Sequence, residues 1–238
     1  LTEKKPIIVA LDMDNQDQVL ELIDQLNPDH CRVKIGKELF TLYGPDLVRQ
    51  VQRKGFDVFL DLKFHDIPHT VYKAVRAACA LNVWMLTIHA AGGSEMLIAA
   101  KKAVMESEHK PLLVAVTVLT SMADEDLLAQ GIHRTTEEQV LRMASFAQGC
   151  GMDGVVCSAA ETVVLRKLLS DNFLLVTPGI RSAGDAAHDQ KRVMTPGEAI
   201  KAGSSYLVIG RPITHAIRPV EKLRQIYEEI SGVAPSLC

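Results

Sequence analysis

Eight short apolar runs recur along the chain, each followed by a stretch with helical spacing, and this alternation limits the fold more than any single motif. The runs are Pro6 to Met13, Cys31 to Gly36, Phe56 to Lys63, Val83 to His89, Leu112 to Leu119, Gly154 to Cys157, Phe173 to Thr177 and Tyr206 to Ile209. After the first, Val19, Leu22, Ile23 and Leu26 share a helical face. After the second, a helix extends to about Arg53; after the third, Pro68 suits the first turn of a helix running to Ala80; after the fourth, Ser94 to Met105 is helical. Most steps are about 25 to 30 residues, and strands so spaced pair in parallel because the intervening helix supplies the crossover. Eight units in 238 residues match a (β/α)8 barrel of the TIM type, with an open doubly wound sheet as the rival. Residues 1–238 are expected to form a single barrel domain.

The ends of the runs separate these two folds. The last residues able to face inward are Asp12, Lys34, Asp61 with Lys63, His89, Thr120 with Ser121, Ser158, Thr177 and Arg211. An open sheet gathers ligand groups at one switch point, whereas a barrel collects them around its rim, so this distribution favours the barrel. No G-x-G-x-x-G follows the first strand. The interval from Leu119 to Gly154 is too long for a plain unit. Thr135 or Thr136 with Glu138 or Gln139 offers a capping box for a helix to Gly149, and the polar segment before it is expected to be a loop covering the barrel mouth.

Chemistry concentrates in Asp61-Leu62-Lys63-Phe64-His65-Asp66-Ile67-Pro68-His69-Thr70. Side chains alternate along a strand, so Asp61 and Lys63 are expected on one face, with Asp66 in the loop before Pro68. Such alternating charges at the end of an apolar strand cost desolvation energy unless function needs them. His65 and His69 have the spacing of a helical metal pair, but Pro68 interrupts the helix that pair requires. Mg2+ held by Asp61 and Asp66 stays open, although Lys63 would set a cation beside it. A Schiff-base lysine wants a neutral amine, and Asp61 and Asp66 would instead keep Lys63 as ammonium, which suits a proton donor. His89, a lone histidine on an apolar strand, reads as structural. Thr177-Pro178-Gly179-Ile180-Arg181 and Ile209-Gly210-Arg211-Pro212 follow strands seven and eight, where barrels often bind phosphate, and the polar segment 181–190 resembles a closing loop.

A formal charge of -3 and a pI of about 6.3 give no general attraction to nucleic acid or to an anionic membrane. The five cysteines contain no C-x-x-C pair, so neither a disulfide framework nor a thiolate metal site is suggested. No apolar run approaches the roughly 18 residues of a spanning helix, and the first residues lack the apolar region of a signal peptide. A cytoplasmic setting is expected.

Asp61 to Thr70 resembles the D-x-K-x-x-D-I-P-x-T signature of the orotidine 5'-phosphate decarboxylase family, in its bacterial branch. The likeness continues through Val9 to Asp12, Lys34-Ile35-Gly36, Leu119 to Ser121, Thr177 to Arg181, Asp189-Gln190 and Ile209 to Arg211, in order along the chain. His69 departs from the Asn common there, at a position that is not one of the charged catalytic ones. The resemblance implies cofactor-independent decarboxylation of orotidine 5'-phosphate to UMP on a homodimeric barrel, without metal. It implies catalytic roles for Asp61 and Lys63, with Asp66, Ile67 and Thr70 reaching in from the partner. Asp12 and Lys34 match ribose-binding positions, Thr120 and Ser121 the pyrimidine-reading loop, and Gln190, Gly210 and Arg211 the phosphate grip. Arg181 matches a further substrate-binding position. Related phosphosugar decarboxylases share D-x-K-x-x-D but bind Mg2+ through a Glu where this chain has Lys34. A barrel that binds a phosphorylated ligand without catalysis is the remaining alternative, and the intact Asp61, Lys63 and Asp66 set argues against it.

Overall fold

The computed structural model describes residues 5–181 and 194–232. Its strands are β1 (Ile7–Ala10), β2 (Arg32–Gly36), β3 (Val58–Phe64), β4 (Met85–His89), β5 (Leu112–Val116), β6 (Gly154–Val156), β7 (Leu174–Thr177) and β8 (Tyr206–Ile209). All pair in parallel with their sequence neighbours, and β8 returns to β1, closing a barrel. The helices are α1 (Gln16–Gln25), α2 (Lys37–Arg53), α3 (Pro68–Cys79), α4 (Gly93–Met105), α5 (Asp124–Ala129), α6 (Thr136–Gly149), α7 (Thr162–Leu168), α8 (Pro196–Lys201), α9 (Arg211–Thr214) and α10 (Pro219–Ser231). Eight strand-to-helix steps around a closed sheet make this a (β/α)8 barrel, as the spacing of the apolar runs predicts. Among the described residues no helix is long and apolar enough to cross a membrane.

The period of two along each strand divides the core into two layers. On β1, Ile8 and Ala10 point into the barrel, where they meet Phe59, Met85, Val114, Val176 and Val208. Ile7 and Val9 point outward, into the larger layer shared with helix residues such as Val19, Leu47, Val75 and Leu97. Strands buried on both faces must be apolar at nearly every position, which is why the runs read as continuous. Charge is confined toward the two ends of the barrel, with Arg32 opening β2 and the Asp12, Lys34, Asp61 and Lys63 group near the carboxyl ends.

Local signals position the helices. Asn15 caps α1 by accepting hydrogen bonds from the backbone N–H groups of Asp17 and Gln18, and Thr135 with Glu138 forms a capping box at α6. α2 is broken at Gly44, whose φ of 58° followed by Pro45 interrupts the helix. The long interval before β6 is not wholly loop, since α5 forms within it. Asp124, at the start of α5, accepts hydrogen bonds from the backbone N–H and the hydroxyl of Thr136, at 2.7 and 2.5 Å, and so fastens this segment to α6.

The amino end of the barrel is closed by stacking. The Arg32 guanidinium lies 4.2 Å from the centre of the Trp84 ring and 5.5 Å from that of Tyr206, and the two rings meet edge-on at 5.0 Å. Arg32 also donates to the Lys5 carbonyl and pairs with Asp57 at 3.2 Å. Losing this plug through Arg32→Ala is expected to cost about 2 kcal/mol and lower Tm by roughly 4–8 °C. Trp84 is the single tryptophan, so its emission follows the loss directly. Unchanged melting would show that the stack contributes nothing.

Candidate active site

Four charged residues from three adjacent strands converge at the carboxyl mouth of the barrel. Asp12 follows β1, Lys34 belongs to β2, and Asp61 and Lys63 belong to β3. Lys34 Nζ lies 3.1 Å from Asp12 Oδ1 and 3.7 Å from Asp61 Oδ2, and Lys63 Nζ lies 2.7 Å from Asp61 Oδ2. The result is a chain of alternating sign, Asp12–Lys34–Asp61–Lys63. Asp61 is only 9% exposed, and burial alone would push its carboxyl pKa up. The charges of Lys34 and Lys63, with hydrogen bonds from Lys63 and Thr87, outweigh burial and hold it below its ordinary value. Asp61 is therefore ionised at neutral pH.

Lys63 reaches Asp61 by a different route from simple alternation. Its φ is 52°, in the left-handed region that side chains other than glycine seldom occupy. The β3–β4 register breaks here: Leu60 pairs with Leu86 and Phe64 with Ile88, so four steps on β3 face two on β4. Leu62 packs against the outer core, while the Lys63 ammonium returns to the mouth.

These residues line a cavity of about 440 Å³. Its floor is the upper part of the inner core, including Phe59, Val116, Val156, Val176 and Val208, and it offers no side-chain hydrogen bond. Thr120 stands on one wall. Gly179, Arg181, Gly210, Arg211 and His215, gathered from the segments after β7 and β8, also line the cavity. Arg181 is 7% exposed, and its guanidinium donates to the Ile180 carbonyl at 2.8 Å. The Asp12–Lys34–Asp61–Lys63 chain and the two guanidinium groups thus share one cavity over an apolar base, with Gly210 close against the Asp12 carboxylate. Such a site can hold an elongated ligand with a phosphate at one end.

Several residues singled out in the sequence do not line this cavity. Asp66 and Thr70 are exposed, Ile67 is 67% exposed, and Asp66 accepts a hydrogen bond from the Ile67 backbone N–H at 2.7 Å. Ser121 is also exposed, outside the cavity wall. Thr177 does not face inward as expected: its hydroxyl bonds Ser204 at 2.8 Å and the Tyr206 carbonyl at 3.1 Å, and Val176 takes the inner position. The His89 ring meets that of His65 in a tilted contact, with centroids 5.3 Å apart and planes at 37°. Burial lowers its pKa, and the charges of His65, Lys37 and Lys63 add to this against the opposing pull of Asp61. Among the described residues, no cluster of three or more His, Cys, Asp or Glu could hold a metal. Gln190, with the rest of the 182–193 segment, lies outside the described residues.

Two site residues escape the sequence reading. Thr87, fully buried on β4, donates from its hydroxyl to Asp61 Oδ1 at 2.9 Å and accepts from the Lys63 backbone N–H at 2.9 Å. A lone hydroxyl in Met85-Leu86-Thr87-Ile88-His89, two residues before the strand end, was its signal. His215 lies one helical turn after Arg211, a spacing that brings both to one side of α9.

A family model described as orotidine 5'-phosphate decarboxylase / HUMPS family matches residues 5–226. A curated relative from Saccharophagus degradans, named orotidine 5'-phosphate decarboxylase, is 57% identical over 225 residues, covering 94% of each chain. One of the same name from Shewanella sediminis is 57% identical over 228 residues, 95% of this chain and 97% of the relative. Among solved structures, orotidine 5'-phosphate decarboxylase from Lactobacillus acidophilus is 41% identical, with a TM-score of 0.84 over 94% of this chain and 98% of that one.

Proposed function

This chain belongs to the orotidine 5'-phosphate decarboxylase / HUMPS family, and on that premise we propose how its barrel mouth carries out the decarboxylation. The reaction converts orotidine 5'-phosphate to UMP and CO2 in pyrimidine biosynthesis. The observation that carries the assignment of roles is the Asp12–Lys34–Asp61–Lys63 chain within one partly apolar cavity that Arg181 and Arg211 also line.

Loss of CO2 from C6 leaves an electron pair in the plane of the pyrimidine ring, where it cannot enter the π system. With no electron sink, the protein must stabilise that charge electrostatically. Lys63 is the group suited to this: its ammonium, paired with Asp61, meets the developing carbanion and then gives its proton to C6. Asp61, kept ionised, orients Lys63 and repels the substrate carboxylate. The apolar floor beside Asp61 solvates neutral CO2 better than a carboxylate, so departure of CO2 relieves both the repulsion and the desolvation. Asp12 and Lys34 hold the ribose, Thr120 and Ser121 read the pyrimidine, and Gly210, Arg211 and Gln190 grip the phosphate, with Arg181 as a further substrate contact. Binding energy from the remote phosphate then serves the reacting end.

The same reading makes the enzyme a homodimer, with Asp66, Ile67 and Thr70 completing the partner's site. Their exposure, away from their own cavity, supports this. Residues 1–238 act as one barrel unit, in the cytoplasm, where the free thiols of Cys31, Cys79, Cys150 and Cys157 are at home. No cofactor or metal takes part. Lys34 supports that statement, because its ammonium stands between Asp12 and Asp61, where a divalent ion would otherwise be bound by carboxylates.

The test follows the ultraviolet absorbance of orotidine 5'-phosphate on adding the purified chain, with and without EDTA. Conversion to UMP at the same rate in both is expected. Conversion abolished by EDTA would replace this reading with a Mg2+-dependent one.

A further inference from the structure

We propose that Thr87 is a positioning residue for the decarboxylation, its single hydroxyl holding the Lys63 main chain in its left-handed conformation while fixing the Asp61 carboxylate against the Lys63 ammonium. The inference rests on the role given to Lys63 above and goes beyond it to a β4 residue that is not among those lining the cavity.

The break in register creates the need. In an unbroken parallel ladder the Lys63 N–H would meet a β4 carbonyl, but between Leu60 and Phe64 the ladder is interrupted. A backbone donor deprived of its ladder partner must find another acceptor. The Thr87 hydroxyl oxygen takes that place at 2.9 Å, and its proton goes to Asp61 Oδ1, also at 2.9 Å. One lone pair and one proton are thereby committed to consecutive members of the charge chain. Asp61 then has one oxygen on Thr87 and the other on Lys63. The two bonds span 24 and 26 residues of sequence, so they pin β3 to β4 at the reacting lysine.

Other threonines at the carboxyl ends of the strands behave differently. Thr117 donates to the Val156 carbonyl at 2.9 Å, and Thr177 meets the Tyr206 carbonyl and the Ser204 hydroxyl. Those are the ordinary satisfactions of a buried hydroxyl. Thr87 is directed instead at Asp61 and Lys63, and its neighbour across the β4–β5 ladder is Val114, so the site accepts a β-branched side chain without a hydroxyl.

Thr87→Val keeps the shape and removes both bonds. Its kcat on orotidine 5'-phosphate is expected to fall about 10²-fold, because the lysine loses its fixed geometry, while KM changes by less than about threefold. The Thr87 hydrogen bond is one of the influences that lower the Asp61 pKa, so its loss raises that pKa and moves the acid limb of the kcat profile to higher pH. Thr87→Ser retains the hydroxyl and should restore both rate and profile. A Thr87→Val enzyme with wild-type kcat and acid limb would overturn the inference, as would a serine variant as impaired as the valine one. Should Thr87→Val not fold, amide exchange in the wild-type chain decides: a slowly exchanging Lys63 N–H is expected, and free exchange would overturn the inference. A wild-type chain inert on orotidine 5'-phosphate would instead remove the decarboxylase reading, leaving the amide result to report on the Thr87 bond by itself.

Discussion

Lys63→Ala is expected to reduce kcat on orotidine 5'-phosphate by at least about 10⁴-fold. A positioned general acid contributes about 10²–10⁴-fold, and removing one electrostatic stabiliser of the transition state costs about 10²–10³-fold more. Both roles reside in one ammonium, 2.7 Å from Asp61. Lys34, the next cation, is 3.7 Å from the same carboxylate and already engaged with Asp12, so it cannot substitute without dismantling the chain. UMP, which lacks the C6 carboxylate, should still bind the variant, whereas the substrate meets an Asp61 with less compensation and binds more weakly. Stopped-flow or prolonged absorbance assays give kcat, and retention of less than a tenfold loss would remove Lys63 from the proton-donor role. The same variant tests the shared site. If Asp66 serves the partner's cavity, Lys63→Ala chains mixed with Asp66→Ala chains form, at random, half heterodimers with one intact site each. Activity should then recover to about one quarter of wild type. No recovery would make each site self-contained.

Arg211→Ala is expected to lower kcat/KM by about 10²–10³-fold, the scale of truncating one partner of a desolvated, hydrogen-bonded charge pair. Arg211 opens α9 and lines the same cavity as Gly179, Arg181 and the Asp61–Lys63 pair. The loss should depend on the phosphate. Orotidine, which has none, should react equally slowly with the wild-type and variant enzymes, because there the arginine has nothing to hold. An equal loss on both substrates would mean that Arg211 acts on the barrel itself. The contrast also measures how much of the phosphate's binding energy reaches the reacting carbon.

Much of this architecture is legible in the chain. Strands buried on both faces have to be apolar nearly throughout, and the runs Pro6 to Met13 and Leu112 to Leu119 extend beyond β1 and β5 because Leu11, Met13, Val118 and Leu119 continue the apolar pattern past the last paired residues. Pro68 marks the start of α3, and Thr135 with Glu138 marks that of α6, since these are local stereochemical signals. α5 was not legible: six residues with a polar face carry too little periodicity, and the bond from Thr136 to Asp124 spans 12 positions.

The candidate site divides in the same way. Asp12, Lys34, Asp61, Lys63 and Arg211 announce themselves because charge at the end of an apolar strand is rarely accidental, and their order and spacing carry the family resemblance. By itself the sequence determined the eightfold alternation, the rim of polar strand ends and the reaction class. Only the tertiary structure decided the rest: that Lys63 reaches Asp61 through a left-handed residue at a register break, that Thr177 turns outward, and that Thr87 joins the chain from another strand. Those facts depend on how β3 sits against β4 and how β7 sits against β8, and register between strands is set by the closure of the whole barrel, not by the residues of either strand alone.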